Sequence, residues 1–140
     1  LGLVGSEMCI RDRDDLLGSY IEVSLDKQYL WLYKNGKLVT KTDIISGLPN
    51  EEFQTYRGAW PIAYKASPFT LSSDVYGYEI EVEYWMPFVY GQGLHDADWQ
   101  DVFGGELYKT KGSHGCINLP KEQAKIIYDT IEAGYPIIIY

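Results

Sequence analysis

A cysteine attacks a carbonyl carbon effectively only as its thiolate, so it needs a base nearby to take the proton. The run Gly112-Ser113-His114-Gly115-Cys116-Ile117-Asn118 sets a cysteine two residues after a histidine, and the chain's second histidine stands upstream in His95-Asp96. Both histidines of the chain belong to this constellation. Cys116 is the candidate nucleophile, and a neighbouring imidazole can leave it as a thiolate and imidazolium pair near neutral pH. Gly115 removes a side chain where substrate must approach, and its N–H together with that of Cys116 is suited to face a developing oxyanion. If 114–116 run extended, His114 and Cys116 point to one face, so local geometry leaves His114 and His95 as equal candidates for the base.

Two other readings compete. A buried cysteine in a strand-rich domain is usually an inert small hydrophobe, and a lone histidine is usually a structural hydrogen-bonder. Two histidines converging on one cysteine argue for chemistry instead. A mixed zinc site drawn from His95, Asp96, His114 and Cys116 is the chemical rival, but no Cys-x-x-Cys or His-rich spacing supports it, so no metal is expected.

The elements that must position these residues read mainly as strands. Aromatic residues make up 15% of the chain, with 13 Tyr and 4 Trp, and β-branched residues recur in short runs between Gly, Pro and Asn, a pattern that favours sheet over helical bundle. Strands are predicted over 20–25, 29–33 and 38–46, the last two joined by Asn35-Gly36, the pair a tight primed turn requires. Further strands are predicted over 59–64, 69–71, 79–84 and 137–140. One helix is predicted over about 120–133, with Pro120 at its first position, Gly134 as its stop, and Ala124, Ile127, Tyr128 and Ile131 on one face.

The run His95-Asp96-Ala97, then Ser113-His114-Gly115-Cys116-Ile117-Asn118, resembles the signature of L,D-transpeptidase (YkuD-type) catalytic domains. The resemblance extends through Tyr84-Trp85-Met86-Pro87-Phe88, Gly93-Leu94, Trp99 and Phe103-Gly104-Gly105 to the closing strand, covering roughly residue 18 to the end. It implies a mainly β, sandwich-like catalytic domain over 18–140, with one helix after the Cys motif. The implied nucleophile is Cys116, which attacks the third residue of a peptidoglycan tetrapeptide stem, releases D-Ala and forms a thioester. An amine of a neighbouring stem then resolves the thioester into a 3→3 cross-link, and carbapenems react at the same cysteine. Carried over residue by residue, His95 becomes the base and the main-chain carbonyl of Asp96 orients its imidazole. Ser113, His114 and Gly115 shape the site, Asn118 supports the loop, and Trp99 and Tyr84 are expected to contact substrate. No cofactor is implied; the partners are donor and acceptor stem peptides, and the place of action is extracytoplasmic, in cell wall or periplasm. One departure from the resemblance lies at Thr55-Tyr56-Arg57-Gly58, where many members of that family carry a Pro after the Thr, in a Thr-Pro-x-Gly turn.

Twelve basic against twenty acidic side chains leave a net charge of −8 across 140 residues, which disfavours nucleic acid and anionic lipid as partners. One domain, expected to be monomeric, uses that length. No apolar run reaches the roughly eighteen residues of a membrane span. Residues 1–13 lack periodicity and include SEMCIRDR, which resembles translated adapter sequence; 1–17 is therefore expected to be a non-native or linker segment without order, and Cys9 without function. A disulfide between Cys9 and Cys116 is not expected.

Overall fold

The computed structural model describes residues 18–140, so the expectations for 1–17 and Cys9 fall outside the described residues. Strand β1 (Tyr20–Ser24) and β2 (Tyr29–Lys34) form an antiparallel pair, and β3 (Lys37–Asp43) joins them as a third strand. Between β2 and β3, Asn35 and Gly36 both take positive φ, 54° and 78°, the backbone of the primed turn predicted from this pair. Strand β4 (Gly58–Pro61) and the closing β10 (Pro136–Ile139) complete a five-stranded sheet ordered β3-β2-β1-β10-β4, in which β1 and β10 run parallel.

A second sheet holds β7 (Trp85–Val89), β8 (Gln92–Asp96) and β9 (Ile117–Leu119). A separate hairpin pairs β5 (Phe69–Ser73) with β6 (Tyr78–Val82). The sequence patterning did not predict β7, β8 or β9. Pro87 argues against a strand where β7 runs, because proline cannot donate to a ladder, and the register breaks between Pro87 and Val89 accordingly. The β7–β8 turn is made by Tyr90 and Gly91, with φ of 46° and 78°. Its backbone resembles that of Asn35-Gly36, but an aromatic residue occupies the first position.

The helical prediction needs two corrections. A short helix, α1 (Tyr108–Lys111), precedes the Cys motif, and the main helix, α2, spans Lys121–Thr130 rather than about 120–133. Pro120 caps α2 with ψ of 140° instead of being its first helical residue, because it still continues the extended backbone of β9. At the other end Ile131 turns extended while its N–H donates to the Ile127 carbonyl, which lets the Ile131 side chain drop into the core before Gly134 is reached.

The main core lies where the two larger sheets and α2 meet. Ile21, Val23, Leu30 and Leu32 from the first sheet pack with Met86, Leu94, Ile117 and Leu119 from the second and with Ala124, Ile127 and Ile131. Thr40 on β3 donates to the Gln123 side chain at 2.6 Å, tying α2 to the first sheet. The helix thereby holds β8 and β9 at a fixed position relative to the five-stranded sheet. Ile127→Ala empties a fully buried position, and is expected to lower unfolding free energy by about 2–4 kcal/mol, read as a shift of the urea midpoint at unchanged slope.

Candidate active site

Strands β8 and β9 pair in parallel, with Leu94 opposite Ile117, His95 opposite Asn118 and Asp96 opposite Leu119. Paired residues share a face, so His95 and Asn118 project to the same side of the sheet, and Cys116 stands immediately before β9. His95, Asn118 and Cys116 together line a cavity of about 730 Å³. Ser113, His114 and Trp99 line it as well.

His95 is buried, and its Nδ1 lies 2.7 Å from the main-chain oxygen of Asp96. A carbonyl only accepts, so Nδ1 carries the proton and donates, leaving Nε2 as the basic nitrogen. Burial pushes the imidazole below its ordinary value, with the Asp96 main-chain bond and carboxylate pulling the other way. The Asp96 side chain is occupied elsewhere: it accepts from the Glu83 N–H and from the Tyr84 N–H at 2.8 Å, which secures the approach to β7.

Cys116 is half-buried. Burial pushes its thiol up to about 11, and main-chain hydrogen bonding at Gly93 only partly offsets this. Burial also raises the Tyr78 phenol, with a further contribution from Cys116, and this tyrosine of the β5–β6 hairpin lines the same cavity. The same environment that keeps His95 neutral keeps Cys116 protonated. Burial thus acts against both charged partners of the thiolate and imidazolium pair that the sequence suggested.

The Cys loop is knitted by its own side chains. Ser113 Oγ donates to the Cys116 carbonyl and accepts the Gly115 N–H at 3.1 Å. This corrects one expectation: the Gly115 N–H is already committed, so of the two predicted oxyanion donors the Cys116 N–H remains. Gly115 itself has φ of 128°, and a Cβ there would lie 2.4 Å from the Gln92 side-chain nitrogen. Only glycine fits. Asn118 bonds Ile45 through its main chain in both directions and donates from Nδ2 to Gln100 at 2.6 Å. Its buried Oδ1 has no partner among the described residues.

The remaining predicted residues divide. Trp99 is 52% exposed and its ring faces that of His95 at 5.9 Å. Exposed His114 stacks on Phe53 at 4.2 Å and meets Tyr76 at 4.8 Å, both distances between ring centroids. Tyr84 does not line the cavity; its ring packs on Tyr128 of α2 at 5.2 Å between centroids, and its N–H is held by Asp96. Trp85 and Phe88 are core, whereas Tyr90 is 82% exposed at the cavity rim. Phe53, Tyr76 and Tyr78 were missed, since nothing in the sequence ties the turn at 51–53 or the β5–β6 hairpin to the Cys motif. Among the described residues no group of three or more His, Cys, Asp or Glu side chains is arranged to hold a metal ion, and no helix is long and apolar enough to cross a membrane.

Fold and site define a mainly β domain with a histidine and a cysteine delivered to one cavity by adjacent parallel strands. A family model described as the L,D-transpeptidase catalytic domain matches residues 18–139. The structure of a cysteine-to-serine variant of Enterococcus faecium L,D-transpeptidase aligns with a TM-score of 0.82 at 42% identity, over 87% of this chain and 49% of that one. The catalytic domain of E. faecium L,D-transpeptidase acylated by ertapenem aligns with a TM-score of 0.75 at 42% identity, covering 87% and 96%. An L,D-transpeptidase from Mycobacterium smegmatis gives 0.74 at 26% identity, covering 86% and 58%. Comparison with curated proteins gives no match. The chain belongs to the L,D-transpeptidase catalytic domain family, and spans about half the length of the E. faecium variant it matches.

A thiol held at about 11 by burial should alkylate with iodoacetamide at a rate that rises about tenfold per pH unit from about pH 7 to pH 10. A rate already flat at pH 7 would instead reveal an ion pair.

Proposed function

We propose that this domain is a peptidoglycan L,D-transpeptidase that forms 3→3 cross-links through a thioester on Cys116. The observation that carries the reading is the shared face of β8 and β9. It brings His95, with Nε2 left basic by the Nδ1 bond to Asp96, into the cavity that Cys116 lines. The ertapenem acylation named for the E. faecium catalytic domain supports the same use of this fold.

In the first step the Cys116 thiol gives its proton to His95 Nε2 as sulfur attacks the carbonyl carbon of stem residue three. Because burial disfavours both separated charges, transfer and attack proceed together, and the negative charge collects on the substrate oxygen opposite the Cys116 N–H. Collapse of the tetrahedral adduct breaks the C–N bond, and the proton on His95 passes to the departing D-Ala amine. In the second step an amine of a neighbouring stem attacks the thioester, loses its proton to His95 and forms the new amide, and Cys116 recovers its proton as it leaves. His114, stacked among Phe53, Tyr76 and Tyr78, shapes the substrate wall with Ser113, Trp99 and Asn118.

The site of action is the extracytoplasmic wall or periplasm, where stem peptides lie. Water or a D-amino acid as acceptor would make the same acyl-enzyme a carboxypeptidase or an exchange enzyme.

Incubation with ertapenem is expected to add the intact drug mass to Cys116 and nothing to Cys116→Ala; a missing adduct on the unmodified protein would count against the reading. His95→Ala should slow acylation by about 100-fold or more, as removal of a general base does, and His114→Ala by less. The reverse ranking would reassign the base. With defined disaccharide tetrapeptides, mass spectrometry should find cross-linked dimers; trimmed tripeptides or exchanged stems alone would identify one of the other acceptors.

A further inference from the structure

Thr55 lies far from the Cys motif in sequence and is almost fully buried against it. Its hydroxyl donates to the Gly115 carbonyl at 2.7 Å and accepts the Gly47 N–H at 2.9 Å. The residues on either side of it are held by one side chain: Gln92 Oε1 accepts the Tyr56 N–H at 2.9 Å, and Gln92 Nε2 donates to the Gln54 carbonyl at 3.0 Å. Gln92 also abuts Gly115, the position where any Cβ would collide with it. The 54–56 segment is therefore fixed from β8, and it in turn grips the peptide that precedes the candidate nucleophile.

A trans peptide is planar, so its C=O and N–H point in opposite directions. Holding the Gly115 carbonyl toward Thr55 sends the N–H of Cys116 away from Thr55. That N–H takes part in none of the hydrogen bonds that knit the loop, whereas the Gly115 N–H is spent on Ser113. We infer that Thr55 is a positioning residue: through the Gly115 carbonyl it locks the Gly115–Cys116 peptide so that the Cys116 N–H faces the substrate oxyanion. The inference rests on the acyl-transfer reading of Cys116, since only attack on a carbonyl builds an oxyanion for that N–H to meet. Preorganised donors gain their effect from being fixed before the charge develops. A peptide plane free to rock would forfeit part of it.

Two reagents for the same sulfur test this. Attack on p-nitrophenyl acetate or ertapenem passes through an oxyanion, whereas displacement of iodide from iodoacetamide does not. Thr55→Val removes the hydroxyl at nearly constant volume. Single-turnover acylation of folded Thr55→Val, checked by near-ultraviolet circular dichroism, is expected to fall by about 30-fold while alkylation stays within threefold, and Thr55→Ser should restore acylation to within threefold of the parent. If Thr55→Val does not fold, Thr55→Ala carries the same comparison, with an expected drop of about tenfold because water can occupy part of the vacated hydroxyl site.

Equal acylation in parent and variant, or equal loss of acylation and alkylation, overturns the positioning role. Failure of the parent to react with ertapenem while it still reacts with p-nitrophenyl acetate would instead count against the transpeptidase reading. The ester comparison would then still decide the role of Thr55.

Discussion

Parallel strands cannot be joined by a tight turn, so pairing Leu94–Asp96 with Ile117–Leu119 obliges the chain to leave the second sheet and come back beside itself. The excursion, residues 97–116, is where much of the cavity is made: Trp99 and Gln100 at its start, α1 in the middle, and the Ser113–Gly115 loop at its end. Had the two strands been a simple hairpin, His95 and the Cys loop would have been separated by a turn with no wall around them. The parallel ladder is short, with three residue pairs. It is secured from both sides, by the packing of α2 in the core and by the main-chain bonds between Ile45 and Asn118. The geometry of the candidate site is thus a property of sheet register, and a slip of one residue would turn His95 away from the cavity.

Electrostatics follow from the same packing. Burying an imidazole and a thiol in one place penalises the charged form of each, lowering the His95 imidazole and raising the Cys116 thiol. The polar groups that remain are assigned before substrate binds. Asp96 is committed to the β7 approach, Ser113 to the Gly115 N–H and Thr55 to the Gly115 carbonyl. This leaves the Cys116 N–H, His95 Nε2 and Asn118 Oδ1 as polar groups of the cavity outside these hydrogen bonds.

What could be read in the sequence followed the range of the interactions involved. Asn35-Gly36 announces its turn because the backbone demand is local, and Ala124 with Ile127 announces α2 because one face repeats. Strands β7 to β9 were hidden: Pro87 breaks the pattern, Tyr90-Gly91 makes a primed-type turn without the usual Asn, and Ile117–Leu119 is too short to show alternation. Cys116 and His95 stood out through their chemistry and motif, but whether His95 or His114 is the base depends on contacts invisible at that level. Tyr84 shows the opposite failure, an aromatic assigned to substrate that tertiary packing sends to Tyr128. Thr55 stood out in the sequence only through Tyr56 beside it, the departure from the Thr-Pro-x-Gly turn that the resemblance implies. The structure gives that difference a use, since the Tyr56 N–H bonds Gln92 and a proline has none to offer.

The raised thiol has a consequence outside the acyl chemistry. Hydrogen peroxide and disulfides react with the thiolate far faster than with the protonated thiol, and sulfenic acid formation follows thiolate character and exposure. Burial raises the Cys116 thiol to about 11 and leaves the residue half-buried, and both act to slow this loss. The burial that raises the Cys116 thiol therefore bears on its oxidation as well as on the proposed acyl chemistry, in the direction of slower reaction with peroxide.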